Sequence, residues 1–168
     1  MRRLAVGLLA LACSKGEGGR EPSPGALEEG WGVVVHETKG SRRLWTLRAR
    51  RAVDLGDTLK AYGVEITFWG RRGKPQSVLT ADSGWYAPGE KEMRALGRVL
   101  VRSEDGTEMR TGWLGYRARD ELIFTDDTVK IKSLDKEVEG VGLRADPALR
   151  RVEIVKEVKG WGRRELGD

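Results

Sequence analysis

At 168 residues, with 39% hydrophobic and 34% charged residues, the chain has enough apolar material for one domain with a core and a highly charged surface. Its net charge of +5 is a weak excess of 31 basic over 26 acidic residues, the signs alternate (Glu90-Lys91-Glu92, Lys156-Glu157), and no basic block marks a nucleic-acid binder. One cysteine, Cys13, excludes an intramolecular disulfide and a cysteine-ligated structural zinc, and one histidine, His36, removes most histidine metal sites.

In chain order, Arg2 and Arg3 precede the apolar run Leu4 to Ala12, which is too short to span a bilayer and of the length of a signal-peptide core. The run ends Ala-Leu-Ala-Cys. Small residues there fit a peptidase pocket and a thiolate can carry a lipid, so residues 1–13 are expected to be a leader with a lipobox-like end and Cys13 a lipid anchor. Residues 14–30 are rich in Gly, Pro, Ser and Glu and are expected to form a flexible tether. The folded domain is expected over 31–160, with a short polar tail at 161–168.

From Trp31 onward the pattern is short alternation broken by turn signals. Val64-Glu65-Ile66-Thr67-Phe68, Val99-Leu100-Val101-Arg102, Val129-Lys130-Ile131-Lys132 and Val152-Glu153-Ile154 alternate apolar and polar, the period of strands with one buried face. Gly70-Arg71-Arg72-Gly73, Ala87-Pro88-Gly89, Glu104-Asp105-Gly106 and Asp146-Pro147 supply turns. Helical periodicity never persists beyond about two turns.

The units repeat. Leu47-Arg48-Ala49-Arg50, Leu79-Thr80-Ala81-Asp82, Met109-Arg110-Thr111-Gly112 and Leu143-Arg144-Ala145-Asp146 recur, interleaved with the strands starting at Val64, Val99, Val129 and Val152. A large residue followed two positions later by a small one puts both on one face. Stacked two-strand units of this kind predict an all-β, elongated antiparallel sheet with free terminal edges.

Catalytic signals are weak. Asp126-Asp127 reads as a solvated turn before the Val129 strand, Ser83 and Ser133 lack a base, and Gly70 to Gly73 fits no phosphate-binding loop. No catalytic residue, metal ligand or cofactor is assigned. His36 falls in an early strand and reads as exposed. Of the six tryptophans, Trp45, Trp69, Trp85 and Trp113 fall on or beside strands, either as core or as lining for an apolar channel.

From about Trp45 to Gly160 the chain resembles the LptC family of periplasmic lipopolysaccharide-export proteins. LWTLRARRA, SVLTADSGWY, LGRVLVRSEDGTEMRTGWLGYRARDELIFTDDTVKIK and VEGVGLRADPALRRVEIVKEVKG carry the likeness. The leader departs from it, since many members carry a transmembrane helix. The resemblance implies a twisted β-jelly roll open along one side, lying on the periplasmic face of the inner membrane of a Gram-negative bacterium. It implies a non-enzymatic task, taking lipopolysaccharide from an inner-membrane ABC transporter at the N-terminal edge and passing it to an LptA-like periplasmic bridge protein at the C-terminal edge. Exposing acyl chains to water costs about 0.8 kcal/mol per CH₂, so such a carrier needs a continuous apolar trough. Alternation nominates Leu47, Val64, Ile66, Leu79, Val99, Val101, Met109, Ile131, Leu143 and Ile154 as its lining. The place of Leu149 to Gly160 as the final strand-like run, together with the resemblance, nominates Val152, Val155 and Val158 as the partner edge. The competing reading is a β-repeat scaffold lipoprotein that pairs strands without moving lipid.

Overall fold

The computed structural model describes residues 28–162, with the side chains at 157–158 and 161–162 excepted. Cys13 and most of the expected leader and tether lie outside the described residues. The described residues form nine strands: β1 (Glu28–Lys39), β2 (Arg42–Asp54), β3 (Leu59–Trp69), β4 (Pro75–Ala87), β5 (Glu92–Ser103), β6 (Glu108–Arg117), β7 (Leu122–Lys132), β8 (Lys136–Ala145) and β9 (Val152–Gly162). They make one antiparallel sheet in the order of the chain, so β1 and β9 are its two edges. The fold is an all-β roll, open because those edges do not pair with each other. β1 begins within the segment expected as tether, and β9 runs into the expected tail.

The repeated motif falls on alternate strands. Ala49, Ala81, Thr111 and Ala145 sit in β2, β4, β6 and β8, whereas Val64, Val99, Val129 and Val152 sit in β3, β5, β7 and β9. The small and large members are direct cross-strand neighbours, Ala49 opposite Val64 and Val64 opposite Ala81, then Val99 opposite Thr111 and Thr111 opposite Val129. A small side chain beside a branched one lets an inner face curve without crowding.

Register breaks midway along the strands. Pairing shifts between Thr80 and Ser83, Leu96 and Val99, Thr111 and Gly115, and Thr125 and Thr128. At two of these breaks a side chain of one strand lies where a glycine of its neighbour leaves room: Asp82 covers Gly97 and Asp127 covers Gly112. Arg50 over Gly63 and Val155 over Gly142 repeat the arrangement at mid-length between β2 and β3 and between β8 and β9. Bulges of this kind bend and twist a strand. Here they align into a crease that divides the sheet into two halves. Asp126-Asp127 is therefore mid-strand in β7, not a turn, and Asp127 accepts a hydrogen bond from the Gly112 amide at 3.2 Å.

The crease folds the sheet onto itself. Trp45 packs edge-on against Tyr86 with ring centroids 4.9 Å apart, and Phe68 against Tyr116 at 5.0 Å. Neither pair belongs to adjacent strands, so both contacts cross the interior. One cluster of buried side chains, from Val35 to Leu149, fills the space between the halves.

Gly97 tests the crease. Its φ is +77°, and a Cβ there would lie 2.7 Å from the Asp82 carboxylate that pairs with Arg98. Gly106, in the β5–β6 turn, has φ +85° with open space around it. Both alanine variants carry the left-handed penalty of ~1–2 kcal/mol, but only Gly97→Ala must also displace Asp82. We expect Gly97→Ala to lower the urea midpoint clearly more than Gly106→Ala. Equal losses would show that packing at the crease does not restrict it.

Candidate functional site: the interior, its seam and the free edges

The inner face is continuous across the sheet. Val35, Leu47, Ile66, Leu79, Val101, Met109, Ile131 and Val138 form one unbroken row of cross-strand neighbours through eight strands. The adjacent outer row runs Val34, Arg48, Glu65, Thr80, Leu100, Arg110, Lys130, Glu139 and Lys159, mostly charged or polar. Of the ten residues nominated for the lining, Leu47, Val64, Ile66, Leu79, Val99, Val101, Met109 and Leu143 are no more than 4% exposed. Ile131 and Ile154 are half-buried against the same cluster. All ten thus face the interior, which their own side chains fill.

Sequence alternation missed much of the opposing wall. Met93, Leu114, Tyr86, Tyr116 and Ile123 are buried in the same cluster. In β3, β4 and β6 the crease reverses the parity of inward positions, from Ala61 to Val64, from Leu79 to Tyr86 and from Met109 to Leu114. A period-2 reading carried through the strand therefore loses the second half. The glycines at the crease were the available signal.

The tryptophans divide by face. Trp45 is 1% exposed and belongs to the core. Trp85 and Trp113 flank the Arg94 guanidinium at 5.6 and 5.0 Å, and Arg43 lies over Trp69 at 5.7 Å. These three act as cation–π partners outside the interior. His36 is exposed and shares the Thr46 hydroxyl with the Trp69 indole, and partial burial with Arg43 and Arg48 nearby lowers its pKa.

Where the two halves meet, polar contacts replace apolar ones. The Arg42 guanidinium forms a two-point pair with the Glu121 carboxylate, joining the start of β2 to the β6–β7 turn. Tyr86 donates its hydroxyl to Glu37, and Lys91 donates to the other oxygen of that carboxylate at 3.1 Å. Burial, and then the bond to Glu37, push the Tyr86 phenol well above its ordinary pKa, so it stays a donor. Ser77 donates to the Pro147 carbonyl and ties the start of β4 to the β8–β9 turn. Lys91 and Glu121 occupy equivalent left-handed turn positions, with φ of 55° and 52°. Both reach back to an earlier strand. This seam is the line along which the roll closes.

The edges differ. β9 is paired on one side only, with β8. Val152 and Val155 are 38% and 52% exposed; Val155 also rests over Gly142, and the Val158 side chain lies outside the described residues. Among the described residues no helix is long and apolar enough to cross a membrane, and no three His, Cys, Asp or Glu side chains are grouped to hold a metal.

Residues 64–161, more than half of the chain and all strands from mid-β3 to β9, match the family described as lipopolysaccharide-assembly, LptC-related. No curated protein matches the chain.

The seam is accessible to test through pH. Hydrogen bonding to Arg42 holds the Glu121 carboxyl below its usual value of 4.5. A folded pKa below the unfolded one contributes stability above the unfolded pKa, and that contribution is lost as pH falls through the folded value. Glu121→Gln keeps the shape without the charge. We expect it to have a lower urea midpoint than the parent at about pH 7, with the gap closing by about pH 3. A gap that is absent or independent of pH would show that the ion pair does not hold the seam.

Proposed function

Because the chain belongs to the LptC family of lipopolysaccharide-assembly proteins, we propose that it is a lipid conduit, taking lipopolysaccharide from the transporter into its apolar interior and passing it along the sheet to a bridge protein at β9. The family is one of transport and binding proteins, not enzymes, acting on the periplasmic side of the inner membrane. The observation that carries the reading is the inner row from Val35 to Val138, apolar at each position through eight neighbouring strands. An acyl chain moving along such a row keeps equivalent contacts throughout.

The interior is filled, so lipid enters by parting the two halves. Acyl chains then replace the contacts that Phe68 makes with Tyr116 and Trp45 with Tyr86. Apolar contact is exchanged for apolar contact, which leaves the net hydrophobic free energy little changed. The seam bonds are what opens. Neutral hydrogen bonds contribute about 0.5–1.5 kcal/mol each and charge-assisted ones about 1.5–3.

Strand addition at β9 would satisfy its free N–H and C=O groups and continue the inner row into the partner. Val152, Val155 and Val158 are the positions along that edge strand proposed to meet the partner, and β1 is the corresponding edge for the transporter subunits. Cys13 is the lipid anchor in this reading, with the residues after it as the tether.

One crosslinking experiment examines both conduit and edge. Photo-reactive residues at Ile66, Val101 and Ile131 should capture lipopolysaccharide in cells, whereas Glu65, Arg102 and Lys130 should not. Photo-reactive residues at Val152 and Val155 should capture the bridge protein. Equal capture of lipid on both faces would remove the conduit. Bridge capture without any lipid would favour the scaffold reading. The anchor is tested separately: Cys13→Ala should move the protein from the membrane to the soluble fraction and remove a lipid-sized mass, and an unmodified thiol on membrane-bound parent protein would refute it.

A further inference from the structure

Two basic turns face each other across the seam. In the β3–β4 turn, the Gly70 amide bonds to the Lys74 carbonyl at 2.8 Å and the Gly73 amide to the Gly70 carbonyl at 3.0 Å. This tight loop projects Arg71 and Arg72 outward. In the β8–β9 turn, the Asp146 carboxylate accepts the Ala148 and Arg151 amides. Leu149 is 6% exposed and anchors that turn in the core, while Arg150 and Arg151 face solvent. The Ser77–Pro147 hydrogen bond brings the two turns together from positions 70 residues apart. Between them lies a cleft of about 870 Å³.

The charges lining this cleft are unbalanced. Its carboxylates are largely committed: Glu121 to Arg42, Asp120 to Arg117 and Asp146 to backbone amides. Glu104 also lines it and makes no ion pair among the described residues. Against these stand Arg71, Arg72, Lys74, Arg150 and Arg151, none with a carboxylate within ion-pair distance among the described residues. Some outward arginines elsewhere stand beside carboxylates, as Arg98 does with Asp82 and Arg102 with Glu108; what distinguishes the cleft is that five uncompensated cations share one opening. Just inside the seam lie the Phe68 and Tyr116 rings. The cleft is thus a cationic mouth next to an apolar interior.

We propose that this cleft binds the phosphate groups of the amphiphile whose acyl chains occupy the interior; the proposal rests on the conduit reading above. Guanidinium forks match phosphate oxygens in two-point hydrogen bonds, and a pair of arginines on each wall suits a headgroup carrying two phosphates. Phosphate binding sets the headgroup at the mouth while the chains part the two halves behind it. Arg42 is shared between both tasks. A phosphate competing with Glu121 for its guanidinium would loosen the seam as the lipid arrives.

The test uses the full chain with a photo-reactive residue at Ile66, and three probes: bisphosphorylated lipid A, the same lipid dephosphorylated, and inorganic pyrophosphate. The charge variant is Arg71→Ser/Arg72→Ser/Arg150→Ser/Arg151→Ser, with folding checked by circular dichroism; all four positions are exposed. We expect the parent to bind the phosphorylated lipid at least about tenfold more tightly than the dephosphorylated one. The charge variant should lose that preference while still capturing both lipids at Ile66. Pyrophosphate should compete for the phosphorylated lipid only. No phosphate preference in a parent that captures both lipids at Ile66 would overturn the phosphate site and leave the conduit standing. A preference that survives in the folded charge variant would also overturn it. Capture of neither lipid at Ile66 would overturn the conduit and the proposal with it. Pyrophosphate binding under that outcome would identify a free-phosphate site instead.

Discussion

A straight strand of twelve residues is roughly 40 Å long, and nine of them side by side make a sheet with one wide apolar face. That face is covered because the strands bend at mid-length, where a glycine of one strand accepts a side chain of the next. The bend places Trp45 over Tyr86 and Phe68 over Tyr116. Without it the row from Val35 to Val138 would lie in water, and a buried Leu, Val, Ile or Met contributes about 1.5–3 kcal/mol only when covered. The interior, the seam and the cleft all follow from that one geometric condition.

How much of this was legible in the chain depends on distance along it. Alternation placed Leu47, Ile66, Val101 and Met109 on one face because each strand half keeps period 2. The repeat of Leu-x-Ala with Val-x-Ile was legible because cross-strand pairing of small with branched residues is a local, periodic constraint. The second half of β6 was not legible, since Gly112 shifts the parity between Thr111 and Leu114. Asp127 looked like a turn residue because two successive carboxylates ahead of an alternating run read as solvated in isolation, and only the neighbouring strand reveals that this carboxylate is satisfied by the Gly112 amide. The seam was invisible, because Arg42 and Glu121 are 79 positions apart and meet only after the roll has closed.

Interior and seam divide two physical tasks. Apolar packing is non-directional, so in the conduit reading proposed above the interior would exchange its own side chains for acyl chains with little preference for one depth over another. The seam is directional: Arg42 to Glu121, Tyr86 to Glu37 and Ser77 to Pro147 each require a defined geometry. On the conduit reading the roll opens repeatedly, and a few such bonds then hold its specificity. The outer tryptophans fit this division. Trp85 and Trp113 hold Arg94 between them on the exterior, apart from both the interior and the seam.

The seam contacts join early strands to turns further along the chain: β1 to the β4–β5 turn, β2 to the β6–β7 turn, β4 to the β8–β9 turn. The closure is therefore staggered, like a strip of paper rolled on the bias. A biased roll has two unlike ends, with one half-sheet projecting at the first strands and the other at the last. A joint between unlike ends is heterologous, and unlike an isologous contact it does not close after two copies. The projecting β9 carries Glu153, Lys156 and Lys159 among its valines, charges that resist pairing with an uncharged strand while leaving its backbone open to one of matching pattern.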